Sequence, residues 1–148
     1  MDHEKAKEVH TVLLTFMGLF HEKFLLNFRR QDGFVPRLNK NQIKIMGILQ
    51  QQDKLTSTEI GKMLDIEKGS LTTLTDQLEA FGFVKRAVDP DDRRRVLLSL
   101  SDAGRARIEK VMAQYIISIK ELFRDVDPGE LEEFINSINY AVNFMKKL

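Results

Sequence analysis

The sequence predicts a mainly α-helical domain carrying one small β-hairpin, and three observations lead there. Glycine and proline are scarce, eight and three in 148 residues, so few points force a helix to stop. Apolar residues recur at helical spacing along most of the chain. Only after Gly82 does that period give way to strict alternation, and only for a short stretch.

The first helix is predicted from Val9 to Phe28, where Val9, Val12, Leu13, Phe16, Leu19, Phe20, Phe24 and Phe28 form one broad apolar stripe. Gly33 and Pro36 end it. Asn39 stands three residues before Gln42, a pairing in which each side chain satisfies the other's orphan backbone donor, and opens a second helix from about Lys40 to Gln52. Thr56 and Glu59 repeat that signature at the start of a short third helix burying Ile60, Met63 and Leu64. Asp65 and Ile66 form a tight turn, and a fourth helix follows from about Glu67 to Phe81, with Leu71, Leu74, Leu78 and Phe81 on its inner face. Two short helices joined in this way, the second with a small, hydroxyl-rich front, match a helix-turn-helix.

Phe83 to Val88 and Arg95 to Leu100 read as facing strands, joined by the turn cluster Asp89-Pro90-Asp91-Asp92. Ser101 caps a fifth helix whose predicted inner positions are Ile108, Val111, Met112, Tyr115, Ile116, Ile119, Leu122 and Phe123. Asp127 followed by Pro128 opens a last helix with Leu131, Phe134, Ile135, Ile138, Val142 and Met145 on one face.

Composition narrows the function classes. With 43% hydrophobic residues the chain is expected to form one soluble globular domain. The lack of cysteine excludes disulfide frameworks, Cys-ligated zinc and cysteine nucleophiles. Val12 to Phe20, the longest apolar stretch, is about half of the roughly 20 residues a membrane span requires. The N-terminus MDHEKAKEV shows no signal-peptide pattern, so a cytoplasmic location without a membrane partner is expected. No cofactor is expected either. His3, His10 and His21 return to nearly one helical face, but seven residues of helix span about 10.5 Å, too far for two ligands of one zinc. No Gly-rich phosphate loop or catalytic carboxylate pair is recognisable, so catalysis is not expected.

Net charge is only +1, yet charge is unevenly distributed. From Phe83 to Arg107, Lys85, Arg86, Arg93, Arg94, Arg95, Arg105 and Arg107 outnumber Asp89, Asp91, Asp92 and Asp102, whereas acids dominate from Lys120 to Glu133. A basic hairpin tip beside a hydroxyl-rich helix front is the distribution that a polyanion would meet.

The order of helices, helix-turn-helix, basic hairpin and two closing helices resembles the MarR family of winged helix-turn-helix regulators over nearly the whole chain. The most specific part is the run from Leu78 to Gly104, LEAFGFVKRAVDPDDRRRVLLSLSDAG. The resemblance implies residues 1–148 as a single domain, with dimerisation helices at 1–35 and 101–148 around a winged lobe at 37–100. It also implies that one wing arginine enters the minor groove of DNA while Asp91 or Asp92 pairs with an arginine and orients the loop. Three departures stand out: Thr73 lies where relatives often carry a base-contacting arginine, Gly61 replaces a usual alanine, and the missing cysteine excludes the thiol-based peroxide sensors.

A sequence-specific regulator of double-stranded DNA is therefore expected, acting as a homodimeric, ligand-responsive repressor on a pseudo-palindromic operator. Lys68, Ser70, Thr72, Thr73 and Gln77 are the candidates for the recognition-helix contacts. Arg93, Arg94 and Arg95 are those for the wing, where a narrow A·T-rich minor groove concentrates negative potential. Ser57, Lys85 and Arg86 are expected at phosphates, fixing register rather than reading sequence. Phe16, Phe20, Phe24 and Met46 are candidates for a pocket accepting a small lipophilic or aromatic effector, the alternative being plain core. A winged-helix module that binds protein instead of DNA is the rival reading.

Overall fold

The computed structural model describes residues 1–26 and 34–148. Phe28 and Gly33, the expected end and terminator of the first helix, lie outside the described residues. Helix α1 (His3–Phe20) is N-capped by Asp2, whose carboxylate accepts from the Lys5 backbone N–H at 2.8 Å. A single continuous α-helix was expected here. The structure corrects this: a π-helical turn (His21–Leu25) continues the rod, its widened spiral shifting the side chains that follow relative to an α-helical stripe.

Helix α2 (Lys40–Gln51) and helix α3 (Ser57–Leu64) both begin with complete capping boxes, Asn39 with Gln42 and Thr56 with Glu59. Between them lies β1 (Leu55–Thr56), which the sequence reading did not foresee. Asp65 takes the left-handed conformation (φ 51°) and turns the chain into helix α4 (Lys68–Ala80). Gly82 at φ 76° ends α4, because the Gly82 and Phe83 N–H groups reach back to the carbonyls of Glu79 and Leu78, a closure that glycine tolerates best. Strands β2 (Val84–Val88) and β3 (Val96–Leu100) pair antiparallel from Val84 opposite Leu100 to Val88 opposite Val96. Adding β1 on the other side of β3 gives a three-stranded sheet in the order β1-β3-β2.

Helix α5 (Asp102–Leu122) starts on the Ser101 cap directly against the first strand of the hairpin. Gly104 is required at that junction, since a Cβ there would stand 2.0 Å from the Phe83 carbonyl oxygen. Helix α6 (Pro128–Met145) is capped by Asp127 with proline in its first turn.

The core is local to the winged lobe. Ile45, Met46 and Leu49 of α2, Ile60 of α3, Leu71 and Leu78 of α4, Leu98 and Leu100 of β3, and Ile108 and Val111 of α5 are all buried together. Arg107 is buried with them, its guanidinium 4.7 Å from the Phe34 ring centre and donating to the carbonyls of Val35 and Pro36. That contact pins the segment leading into α2 against α5. Outside the lobe the pattern reverses: neither α1 nor α6 has a buried residue, and Ile116, Ile117, Ile119 and Leu122 in the distal half of α5 are exposed. Full burial of the α5 and α6 stripes, expected from their spacing, thus stops at Val111 within one chain, with Met112 and Tyr115 partly buried against the core. Among the described residues no helix is long and apolar enough to cross a membrane.

Candidate nucleic-acid interface

The sequence of α4 separates its two sides. Leu71, Thr75 and Leu78 are buried, whereas Lys68, Gly69, Ser70, Thr72, Thr73, Asp76 and Gln77 stand exposed. Thr72 and Thr73 donate their hydroxyl protons to the carbonyls of Lys68 and Gly69, at 2.9 and 3.2 Å, which locks both side chains and leaves their oxygens as acceptors toward solvent. Gln77 accepts a hydrogen bond from the buried Gln42 of α2. Lys68 and Ser70 occupy the first turn, where the helix N-terminus favours negative charge.

The wing is built by its acids. Asp89 is 7% exposed; its carboxylate accepts from the Asp91 N–H at 2.9 Å and lies 3.6 Å from the Arg95 guanidinium. The Arg95 N–H donates to the Asp92 carbonyl, closing the turn. Asp92 accepts from the backbone N–H and the Nε of Arg94, at 3.0 and 3.3 Å. Arg94 nevertheless keeps 92% of its side chain exposed, and Arg93 beside it is exposed with no partner among the described residues. Two cationic side chains therefore project from a tip that is rigid at its base.

Three of the expected site residues make contacts within the chain that the sequence reading did not foresee. Arg86, expected at a phosphate, turns inward across the lobe: it donates to Asp76 at 2.6 Å, Glu79 at 2.8 Å and the buried Thr75 hydroxyl at 3.0 Å. Two carboxylates of α4 share its donors, and the same contact neutralises acids that would repel a polyanion. Arg95, expected with the DNA-facing wing residues, is tied back to Glu59 at 3.3 Å as well as to Asp89, so it joins wing to α3. Of the two acids expected to orient the wing, Asp92 pairs with Arg94 while Asp91 supplies only its backbone N–H, and the more deeply buried Asp89 holds the base of the loop beside them. Lys85 is exposed on β2 and Ser57 half-buried at the start of α3.

Glu59 shows how capping and tethering meet. The Thr56 backbone N–H and hydroxyl both donate to its carboxylate, at 2.7 and 2.8 Å, and hold it below the ordinary value of 4.5, with Arg95 adding a smaller effect in the same direction.

The expected effector residues are not brought together. Phe16, Phe20 and Phe24 form an aromatic ladder, with centroids 5.9 and 5.3 Å apart, that continues through Phe123 to Phe134 of α6. Met46 sits elsewhere, fully buried in the lobe core. Among the described residues a cleft of about 660 Å³ lies between the π-helical turn, the start of α2 and α5. His21, Leu25, Leu38, Ile43, Met112 and Tyr115 line it, with Arg37, Lys40 and Lys44 also on its wall. Burial raises the Tyr115 phenol above its ordinary value of 10.0.

A sequence model of the MarR family matches residues 38–96, the stretch from the entry of α2 to the first residue of β3. The HTH-type transcriptional regulator YcgE of Bacillus subtilis, uncharacterized, is 32% identical over 105 residues, covering 71% of this chain and 68% of its own. The HTH-type transcriptional repressor YetL of the same organism is 26% identical over 126 residues, covering 83% and 75%. In fold, the chain superposes on a MarR family protein from Bacillus stearothermophilus with a TM-score of 0.75, covering 99% of both chains at 17% identity. With its helix-turn-helix, basic wing and sequence match in register, the chain belongs to the MarR family of DNA-binding transcriptional regulators and is not an enzyme.

Proposed function

We propose that this protein is a cytoplasmic homodimeric repressor that binds a pseudo-palindromic operator and releases it in response to a small lipophilic or aromatic effector. The observation that carries the reading is the pairing of a locked, hydroxyl-rich α4 front with a wing tip whose Arg93 and Arg94 point outward on an anchored base. Ser70, Thr72, Thr73 and Gln77 read base edges in the major groove, Arg93 and Arg94 enter the flanking minor groove, and Lys68, Lys85 and Ser57 hold phosphates. Arg86, Arg95 and Asp92 position these elements.

The exposed apolar faces of α1, distal α5 and α6 support dimerisation, because contiguous apolar surface of that extent marks an interface. Two copies of α4 about 34 Å apart then meet successive major grooves. Repression rests on the name of YetL, and the effector on the cleft beneath α2, whose Leu25, Leu38, Ile43, Met112 and Tyr115 suit an aromatic body.

An electrophoretic shift assay on fragments of the source genome, repeated over a salt series, tests the reading. Retention of particular fragments with affinity that falls steeply with salt is the expected result. A protein that retains no fragment at low salt, or retains all equally, overturns it and favours the protein-binding module.

A further inference from the structure

Gln42 on α2 is 3% exposed, Gln77 stands exposed on α4, and their side chains meet at 2.9 Å. A carboxamide can in general be turned either way, but here its direction is dictated from the backbone. The Asn39 N–H can only donate, and it donates to Oε1 of Gln42 at 2.9 Å as part of the α2 cap. Gln42 therefore directs its Nε2 toward Gln77. Because Nε2 also can only donate, Gln77 answers with its oxygen. The end of Gln77 left for a partner on the reading face is its NH2 group.

We propose that Gln42, which does not touch DNA, is a positioning residue that sets the hydrogen-bonding polarity of Gln77 and thereby its base preference. This deepens the DNA-reading role given to α4 above and rests on it. A glutamine free to turn matches adenine with a paired donor and acceptor at N7 and N6. Gln77 held by its oxygen presents donors, which favours guanine, whose O6 and N7 both accept. Adenine and thymine are each left a single bond, to N7 and O4, and cytosine, with its N4 donor, is rejected.

The test is selection from a randomised duplex library by the full-length protein and three variants. Gln77→Ala identifies the operator position that Gln77 reads. At that position the wild type is expected to prefer guanine by about three- to tenfold, the worth of one hydrogen bond. In Gln42→Glu the carboxylate still accepts from Asn39 but cannot donate. Gln77 then turns its NH2 inward, and the preference shifts to adenine or cytosine at that position alone. Gln42→Met retains bulk without either bond and is expected to reduce the preference to less than about twofold; it also keeps the test decisive if the buried carboxylate unfolds the first variant, which thermal melts report. Unchanged selection by both Gln42 variants, or a uniform loss across all sequences, overturns the inference alone. A wild type that selects no sequence overturns the reading of α4 and this inference together.

Discussion

The winged lobe and the terminal helices both carry regular apolar stripes, yet they use them in opposite ways. In the lobe, α2, α3, α4, β3 and the first turns of α5 close on one another, and Ile45, Met46, Leu49, Ile60 and Leu78 lose all contact with solvent. In α1 and α6 no side chain does so, although Val12, Leu13, Phe16, Phe134 and Ile135 repeat at the same helical spacing. Periodicity reports which face of a helix is apolar, not what covers it. The lobe is covered by its own chain; the described residues of the terminal helices, here called the arms, are not.

Core truncation should show the largest effect. Leu49→Ala removes a fully buried side chain and is expected to cost about 2–5 kcal/mol in urea unfolding; a loss well under 1 kcal/mol would erase the contrast between lobe and arms. Gly104→Ala comes next, since its methyl group must displace the Phe83 backbone, and about 1–3 kcal/mol is expected from the same measurement. On the arms, Ile116→Glu should leave the unfolding of the lobe nearly unchanged while weakening self-association at least about tenfold in sedimentation equilibrium, as for loss of a hot-spot contact. Equal damage to both properties would show that the arms stabilise the lobe directly.

Wing substitutions should touch neither stability nor assembly. Arg93→Ala with Arg94→Ala is expected to lower DNA affinity by about tenfold or more and to reduce the salt slope by about 1 to 2, read from shift assays between low and moderate salt. The smallest effect belongs to Glu59. Hydrogen bonds from Thr56 depress its folded-state value, so its ionised form stabilises the lobe above about 4.5, and that contribution disappears as pH falls through the depressed value. Glu59→Gln should therefore flatten the acid limb of a plot of unfolding midpoint against pH, lowering the midpoint near neutrality, where the wild type keeps this contribution, and leaving it nearly unchanged at acid pH.

How much was legible beforehand follows from the range of each interaction. Asn39 with Gln42, Thr56 with Glu59, Ser101, and Asp127 with Pro128 were readable as helix starts because capping joins residues within one turn. The hairpin was readable because alternation persists through Val96, Leu98 and Leu100. Strand β1 was not, since two residues carry no period. The partners of Arg86 and Arg95 were equally hidden: as residue types both suit phosphate, and only the approach of β2 to α4 and of the wing to α3 supplies the carboxylates that claim them. The aromatic ladder was ambiguous for a related reason, because spacing by four aligns Phe16, Phe20 and Phe24 without saying whether they face a cavity or one another.

By itself, then, the sequence determined the capped starts of α2, α3, α5 and α6, the hairpin with its basic tip and the sided character of α4, all of which depend on hydrogen bonds and periodicities between near neighbours in the chain. Tertiary structure alone decided where the cleft opens, and it decided that Arg86 and Arg95 are tied within the lobe and that Gln77 answers to Gln42, because those pairings join residues 7 to 36 positions apart that meet only when the lobe closes.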